Sequence, residues 1–332
     1  MIIKSIKLVN FRNHSKYVLE CKDSVSLILG QNGCGKTSVL EAIYILTRGK
    51  SFRAVDSEIL KRGEEFYRIE MEYENGEKSV ATYDGKDKTF TIVDKKSKRL
   101  PKKNKYPVVL FLPSDLNLVS TSPNKRRDYF DRIFSQFDEK YNDSLLRYEK
   151  ALKQRNELLK RDFVTADMMF SWNILLAKYG AEIAKFRKQF VGEINEKFTE
   201  MYRSIADNQD EVEIRVETLT SEDSNKYLQM LEAGFEKDLA LGHTSFGVHR
   251  DDFIFLFNQK EADGSASRGE TRSMILALKF IEAEMILNKL GKRPIVLLDD
   301  VFSELDDVRR RCLVENFRDN QVIITSVEGF SR

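Results

Sequence analysis

The chain has only three cysteines, three histidines and no apolar run long enough to cross a bilayer, and each shortage closes off a class of protein. Cys21, Cys34 and Cys312 show no Cys-x-x-Cys spacing and leave an odd thiol over, which argues against a disulfide framework or a zinc site. The histidines cannot supply the missing ligands. No window approaches about 18 apolar residues, so neither a signal peptide nor a membrane span is expected. The chain therefore reads as a protein of the reducing cytoplasm. A dominant charge is also missing: 55 Lys and Arg face 53 Asp and Glu. Any affinity for nucleic acid has to come from local patches. There is no internal repeat and no low-complexity tract.

What is present begins with Gly30-Gln31-Asn32-Gly33-Cys34-Gly35-Lys36-Thr37, a complete phosphate-binding loop. It lies between an apolar run (residues 25–29) and a helical pattern (residues 38–46), the only context in which G-x-x-x-x-G-K-[ST] implies a nucleotide site. The glycines let successive N–H groups turn inward around phosphate oxygens, and the helix N-terminus adds partial positive charge. Lys36 would reach the β- and γ-phosphates and Thr37 would hold Mg²⁺. A nucleoside triphosphate is the expected ligand.

At 332 residues the chain can form two domains, or one domain with an insertion. Strands are expected over residues 2–10, 17–20 and 25–29. An alternating segment at 66–74, the Asn75-Gly76 turn and strands at 79–83 and 90–93 form an antiparallel meander, within about 64–112. Residues 86–105 carry nine Lys and Arg against two Asp. Ser122-Pro123 opens a helix with aromatic and leucine residues every three or four positions to Leu159, and a second starts after Thr165 and runs to Ile205. Each is expected to span on the order of 35–40 residues and to pair as an antiparallel hairpin. The expected architecture is an α/β P-loop head of residues 1–120 and 208–332 with a small β-subdomain, and an inserted helical arm of residues 121–207.

Residues 294–300 (Pro-Ile-Val-Leu-Leu-Asp-Asp) form an apolar strand ending in two acids, as in a Walker B element. Asp299 would complete the Mg²⁺ sphere and Asp300 would orient or deprotonate the attacking water. Thr325 and Ser326, at the tip of a strand over 321–325, either sense the γ-phosphate or close a strand. Ser267-Arg268-Gly269-Glu270 opens a helix expected over 271–290 and repeats the logic of an anion site. One chain already has a phosphate cradle, so this second one suggests a surface facing another subunit's ATP.

The loop, the serine–glycine element, the Walker B strand and Ser303-Glu304-Leu305-Asp306 resemble an ABC-type ATPase head of the chromosome-maintenance kind. Asn10-Phe11-Arg12-Asn13, Lys50-Ser51-Phe52-Arg53, Phe111-Leu112-Pro113-Ser114-Asp115-Leu116, Arg126-Arg127 and His249-Arg250-Asp251-Asp252 narrow the likeness to the RecF family of recombination mediators, over essentially the whole chain. The resemblance implies an ATP- and Mg²⁺-dependent homodimer that binds duplex or gapped DNA and works with RecO and RecR to load RecA. It implies that Ser267, Gly269 and Glu270 meet the γ-phosphate of the opposite subunit. Arg12, Asn13 and Arg53 are candidate nucleotide contacts, the alternative for each being a salt bridge or a turn hydrogen bond.

The chain departs from the family pattern at Glu270, where glutamine is usual, and at Val248, where proline usually precedes the histidine block. His249 reads as a hydrogen-bonded turn residue or a catalytic one. The Asp251-Asp252 pair reads as a cap or a second metal site. Lys95, Lys96, Lys98, Arg99, Lys102 and Lys103, on a loop, and Arg126 and Arg127 are candidate DNA contacts; a solvated loop is the alternative for the first six. Nothing offers base readout, so binding is expected to be independent of DNA sequence. Asp300 is one methylene shorter than the more usual glutamate, so hydrolysis is expected to be slow and DNA-stimulated. The competing function is the ATPase subunit of an ABC transporter.

Overall fold

The computed structural model describes residues 2–327, which divide into two compact units. Among the described residues the first comprises 2–115 and 282–327, and the second 116–281. The inserted unit is thus wider than the 121–207 expected for the arm, because a three-stranded sheet and further helices group with the helical pair.

In the first unit, a six-stranded antiparallel sheet runs in the order His14–Glu20, Ile3–Phe11, Tyr67–Tyr73, Lys78–Tyr83, Lys88–Ile92, Lys95–Ser97. The meander is therefore continuous with the N-terminal strands, not a separate sheet after the helix. A four-stranded parallel sheet runs Val25–Leu29, Val322–Ser326, Ile295–Asp299, Val108–Phe111. The helix Lys36–Arg48 packs against strands of both sheets, which is why it is apolar on nearly every face and not along one stripe. Val39, Leu40, Ile43 and Ile45 are fully buried there. Gly35 (φ 99°) and Gly49 (φ 86°) bound the helix. Gln321 ties the two sheets: its side-chain amide donates to the carbonyls of Ile3 (2.7 Å) and Lys22 (3.0 Å) and accepts from Ile3 N–H (2.8 Å).

In the second unit, the first of the two expected long helices is broken. Pro123–Phe137 ends at Asp138 (φ −131°), whose carboxylate caps a new helix, Glu139–Leu159, by accepting from Tyr141 N–H at 2.8 Å. Ala166–Ala206 is continuous over 41 residues. Nor do the helices form a free arm whose aromatics pair only with one another. Phe130 stacks on Phe253 of the strand Asp252–Phe257 at 4.2 Å between centroids, while Phe134 meets Phe190 at 4.9 Å. That strand pairs antiparallel with Val212–Glu217 and Lys260–Glu261. No helix among the described residues is long and apolar enough to cross a membrane.

Two buried arginines hold this unit. Arg187 donates to both oxygens of Asp131 (2.9 Å), to Asp251 (2.8 Å), to the Val248 carbonyl (2.6 Å) and to the Tyr141 hydroxyl (3.2 Å). Arg155 donates to Asn173, Asp238 and Thr244, each at 2.7 Å.

His249 is one link in a chain of bonds. Its Nε2 faces the Thr244 carbonyl at 3.0 Å, an acceptor only, so Nε2 carries the proton and Nδ1 accepts from the Tyr148 hydroxyl at 2.8 Å. Burial pushes its pKa down to about 4, so the ring is neutral in the fold. Its folded value lies below the unfolded one near 6.5, so the stabilisation is complete above about pH 6.5 and is lost as pH falls towards 4. We expect roughly 3 kcal/mol of acid sensitivity from this residue. Denaturant midpoints across that window should fall steeply in the wild type and more gently in His249→Gln; equal slopes would count against it.

Candidate nucleotide site

The parallel sheet brings the phosphate loop and the acidic strand together at its carboxyl edge. Gly30 follows the strand Val25–Leu29, and Asp299 ends Ile295–Asp299, with Val322–Ser326 paired between them. Thr37 Oγ1 donates to Asp299 at 2.8 and 2.9 Å from the two carboxylate oxygens, and Thr325 Oγ1 donates to the same carboxylate at 2.9 Å. Burial pushes the Asp299 carboxyl above its ordinary range, while the bonds from Thr37 and Thr325 work the other way. Thr325 is fully buried and is not an exposed sensor at a strand tip. Its hydroxyl also accepts from Asp300 N–H at 2.9 Å, so it fixes both acids.

Asp300 stands in the left-handed region (φ 49°), just past the end of the strand. Its carboxylate lies 3.5 Å from Lys36 Nζ. Lys36 is buried and donates to the carbonyls of Gly30 (2.8 Å) and Gln31 (3.3 Å). Gln31, Asn32 and Cys34 are exposed on the loop.

The loop is braced from the turn after Ile3–Phe11. Asn13 Nδ2 donates to the Gly33 carbonyl at 3.0 Å, and His14 Nε2 lies 3.1 Å from the Gly35 carbonyl. A Cβ at Gly35 would collide with both side chains, in addition to the cost of its positive φ. Arg12, Asn13 and Arg53 join Lys36, Thr37 and Asp300 around one cleft of about 550 Å³. Both arginines pair with the buried Glu41. Sequence reasoning missed Glu41; the signal was a lone acid inside the apolar helix 36–48. His14 was also missed.

The other candidates are not among the residues that line this cleft. Arg268–Leu290 begins three residues earlier than expected, so Ser267 stands just before the helix and Gly269 and Glu270 fall in its first turn. Ser267 N–H donates to the Glu270 carboxylate at 2.5 Å and Glu270 N–H to Ser267 Oγ at 3.3 Å, a reciprocal capping box. Glu270, in place of the usual glutamine, thus meets a backbone donor of its own turn.

Arg126 does not suit a DNA contact. It is buried and forks onto Asp252 at 2.6 and 2.7 Å because Asp252 is the carboxylate within its reach. Arg127 is bonded to the Asp251 carbonyl and to Asn124. Asp251 accepts from Arg187 through one carboxylate oxygen and Asp252 from Arg126 through both, and no cluster of three or more ligating side chains occurs among the described residues.

The basic tract is not simply a loop. Lys95 and Lys96 lie exposed on the edge strand Lys95–Ser97, where lysines also discourage edge pairing, and Lys98 lies 3.4 Å from Asp87. Arg99, Lys102 and Lys103 are exposed, the last two in the turn Lys102–Asn104.

Comparison with known proteins gives this geometry its family. The AAA ATPase domain pattern matches residues 1–279. "DNA replication and repair protein RecF" of Clostridioides difficile (strain 630) is 35% identical, over 99% of this chain and 92% of that protein. The protein of the same name from Clostridium perfringens (strain SM101) is 33% identical, over 98% and 92%. This chain belongs to the RecF family. A solved structure described as the recombination mediator protein RecF-ATP in the RecFOR pathway superposes with a TM-score of 0.88 at 30% identity, covering 100% of this chain and 93% of that one. Likeness to RecF over nearly the whole length does not favour the transporter alternative.

Proposed function

We propose that this member of the RecF family is an ATP-dependent DNA-binding switch of recombinational repair and replication-fork maintenance, working as a homodimer with RecO and RecR to load RecA. The observation that carries the proposal is the convergence of Lys36, Thr37, Asp299 and Asp300 at one sheet edge, beside a cleft with two guanidinium groups. Lys36 neutralises phosphate charge and steadies Asp300. Thr325 fixes the direction of the Asp300 backbone, leaving the carboxylate to orient or deprotonate water.

Thr37 and Asp299 are the residues that would hold Mg²⁺. An all-oxygen set with one buried carboxylate fits that ion, which would supply charge neutralisation to the phosphates. Ser267, with the helix N-terminus behind it, is suited to the γ-phosphate of a second copy's nucleotide, and the capping box holds the Glu270 carboxylate on its own backbone. Lys95, Lys96, Lys98, Arg99, Lys102 and Lys103 supply exposed charge for a sequence-independent DNA backbone contact.

Light scattering after size exclusion, with and without ATP and a gapped duplex, tests this. ATP should shift the mass from one chain to two and strengthen DNA binding, with an affinity that falls steeply with salt and hardly depends on base sequence. A mass indifferent to ATP, or a weak salt slope with strong sequence preference, would overturn it.

A further inference from the structure

Glu41 sits on the helix Lys36–Arg48, whose other side chains are largely apolar because it packs against both sheets of its unit. It is fully buried. A carboxylate in that position needs compensation, and a single guanidinium would neutralise it. Two are present. Arg12 donates through Nε (2.9 Å) and Nη2 (2.7 Å), Arg53 through Nε (3.1 Å) and Nη2 (2.9 Å), and Ser51 Oγ adds a bond of 2.6 Å. Burial opposes its ionisation, yet the bonds from Arg12, Arg53 and Ser51 hold Glu41 below the ordinary carboxylate range. One acid with two guanidinium groups keeps a surplus positive charge, and it does so on the wall of the cleft that contains Lys36 and Thr37.

The backbone at Arg12 gives an independent observation. Arg12 stands at φ 56°, a left-handed conformation unusual for a residue other than glycine. Its N–H donates to the Ile59 carbonyl at 2.8 Å and its Nη1 to that of Glu58 at 3.0 Å, while Phe11 bridges to Leu60. Strained backbone of this kind persists where the surroundings over-determine it, and here they direct one guanidinium to the cleft. Both arginines keep N–H donors beyond these bonds, in the planar fork that matches phosphate oxygens.

We propose that Glu41 is a positioning residue for the nucleotide: by holding Arg12 and Arg53 on one buried carboxylate, it presets two guanidinium groups against the triphosphate. This rests on the cleft being the triphosphate site. Glu41→Gln keeps the shape but removes the charge and turns one acceptor towards the arginines into a donor. We expect KM for ATP to rise about tenfold, the equivalent of one charge-assisted bond, with kcat changed far less. Glu41→Asp should recover part of the affinity.

Arg12→Gln and Arg53→Gln separate the two layers of the argument. If neither raises KM, the cleft assignment itself fails. If both do and a folded Glu41→Gln binds ATP like the wild type, the positioning role is overturned. Should Glu41→Gln not fold, Ser51→Ala withdraws one donor from the carboxylate and should raise KM by about threefold; no change would overturn the role as well.

Discussion

Replacing Lys36 with alanine should leave the chain folded and remove most of its affinity for ATP. The ammonium is buried within the loop, bonded to the Gly30 and Gln31 carbonyls and 3.5 Å from Asp300. None of these contacts joins distant parts of the hydrophobic core, so their loss bears on the cleft more than on the fold. A hydrogen bond to a charged group contributes about 1.5–3 kcal/mol, which corresponds to roughly 10- to 150-fold in the dissociation constant. Lys36→Arg keeps the charge but brings a bulky planar group into a narrow loop, so it should also abolish the shift from one chain to two that is proposed to follow ATP binding. Titration of a fluorescent ATP analogue, beside a thermal melt of the same sample, measures both effects. An alanine variant with wild-type affinity would show that the loop does not hold the triphosphate.

Arg187→Met is expected to cost the second unit about 3–5 kcal/mol, because breaking a buried ion-pair cluster leaves its carboxylates uncompensated. Arg187 is 1% exposed and joins Asp131 to Asp251 while holding the Val248 carbonyl. For a unit of this size the loss translates to roughly 10 °C in melting temperature. Adding Asp251→Leu should restore part of it, since the orphaned acid is then gone as well. A single variant that melts like the wild type would mean that the cluster is not coupled to folding of the unit.

The site was more legible in the sequence than the fold around it, and the reason is physical. A phosphate loop must draw its glycines, lysine and threonine from consecutive residues, so Gly30 to Thr37 could be read directly, and Asp299 followed from an apolar run ending in acids. The partners of those residues come from far along the chain. Glu41 could be seen as an odd acid in an apolar helix, but not as the meeting point of Arg12 and Arg53. Helical spacing suggested one helix from Ser122 to Leu159 because Asp138 fits a solvated face as well as a cap; only its backbone angle ends the first helix. Likewise Arg126 looked like free basic charge until Asp252, 126 residues away, was found beside it. The edge strand at Lys95–Ser97 escaped notice because a tract rich in lysine lacks the apolar alternation by which strands are read.

The order of the parallel sheet has a consequence for how the protein comes into being. Val25–Leu29, the strand that launches the phosphate loop, pairs among the described residues only with Val322–Ser326. During synthesis, the strand that launches the loop therefore waits for residues 322–326 to leave the ribosome before it has a neighbour. The inserted unit, residues 116–281, is complete well before then. Domains generally fold as units as they emerge, so the segment that is inserted in the sequence is the earlier one to mature in time. A chain cut before residue 322 would leave the strand of the phosphate loop without the neighbour it has among the described residues.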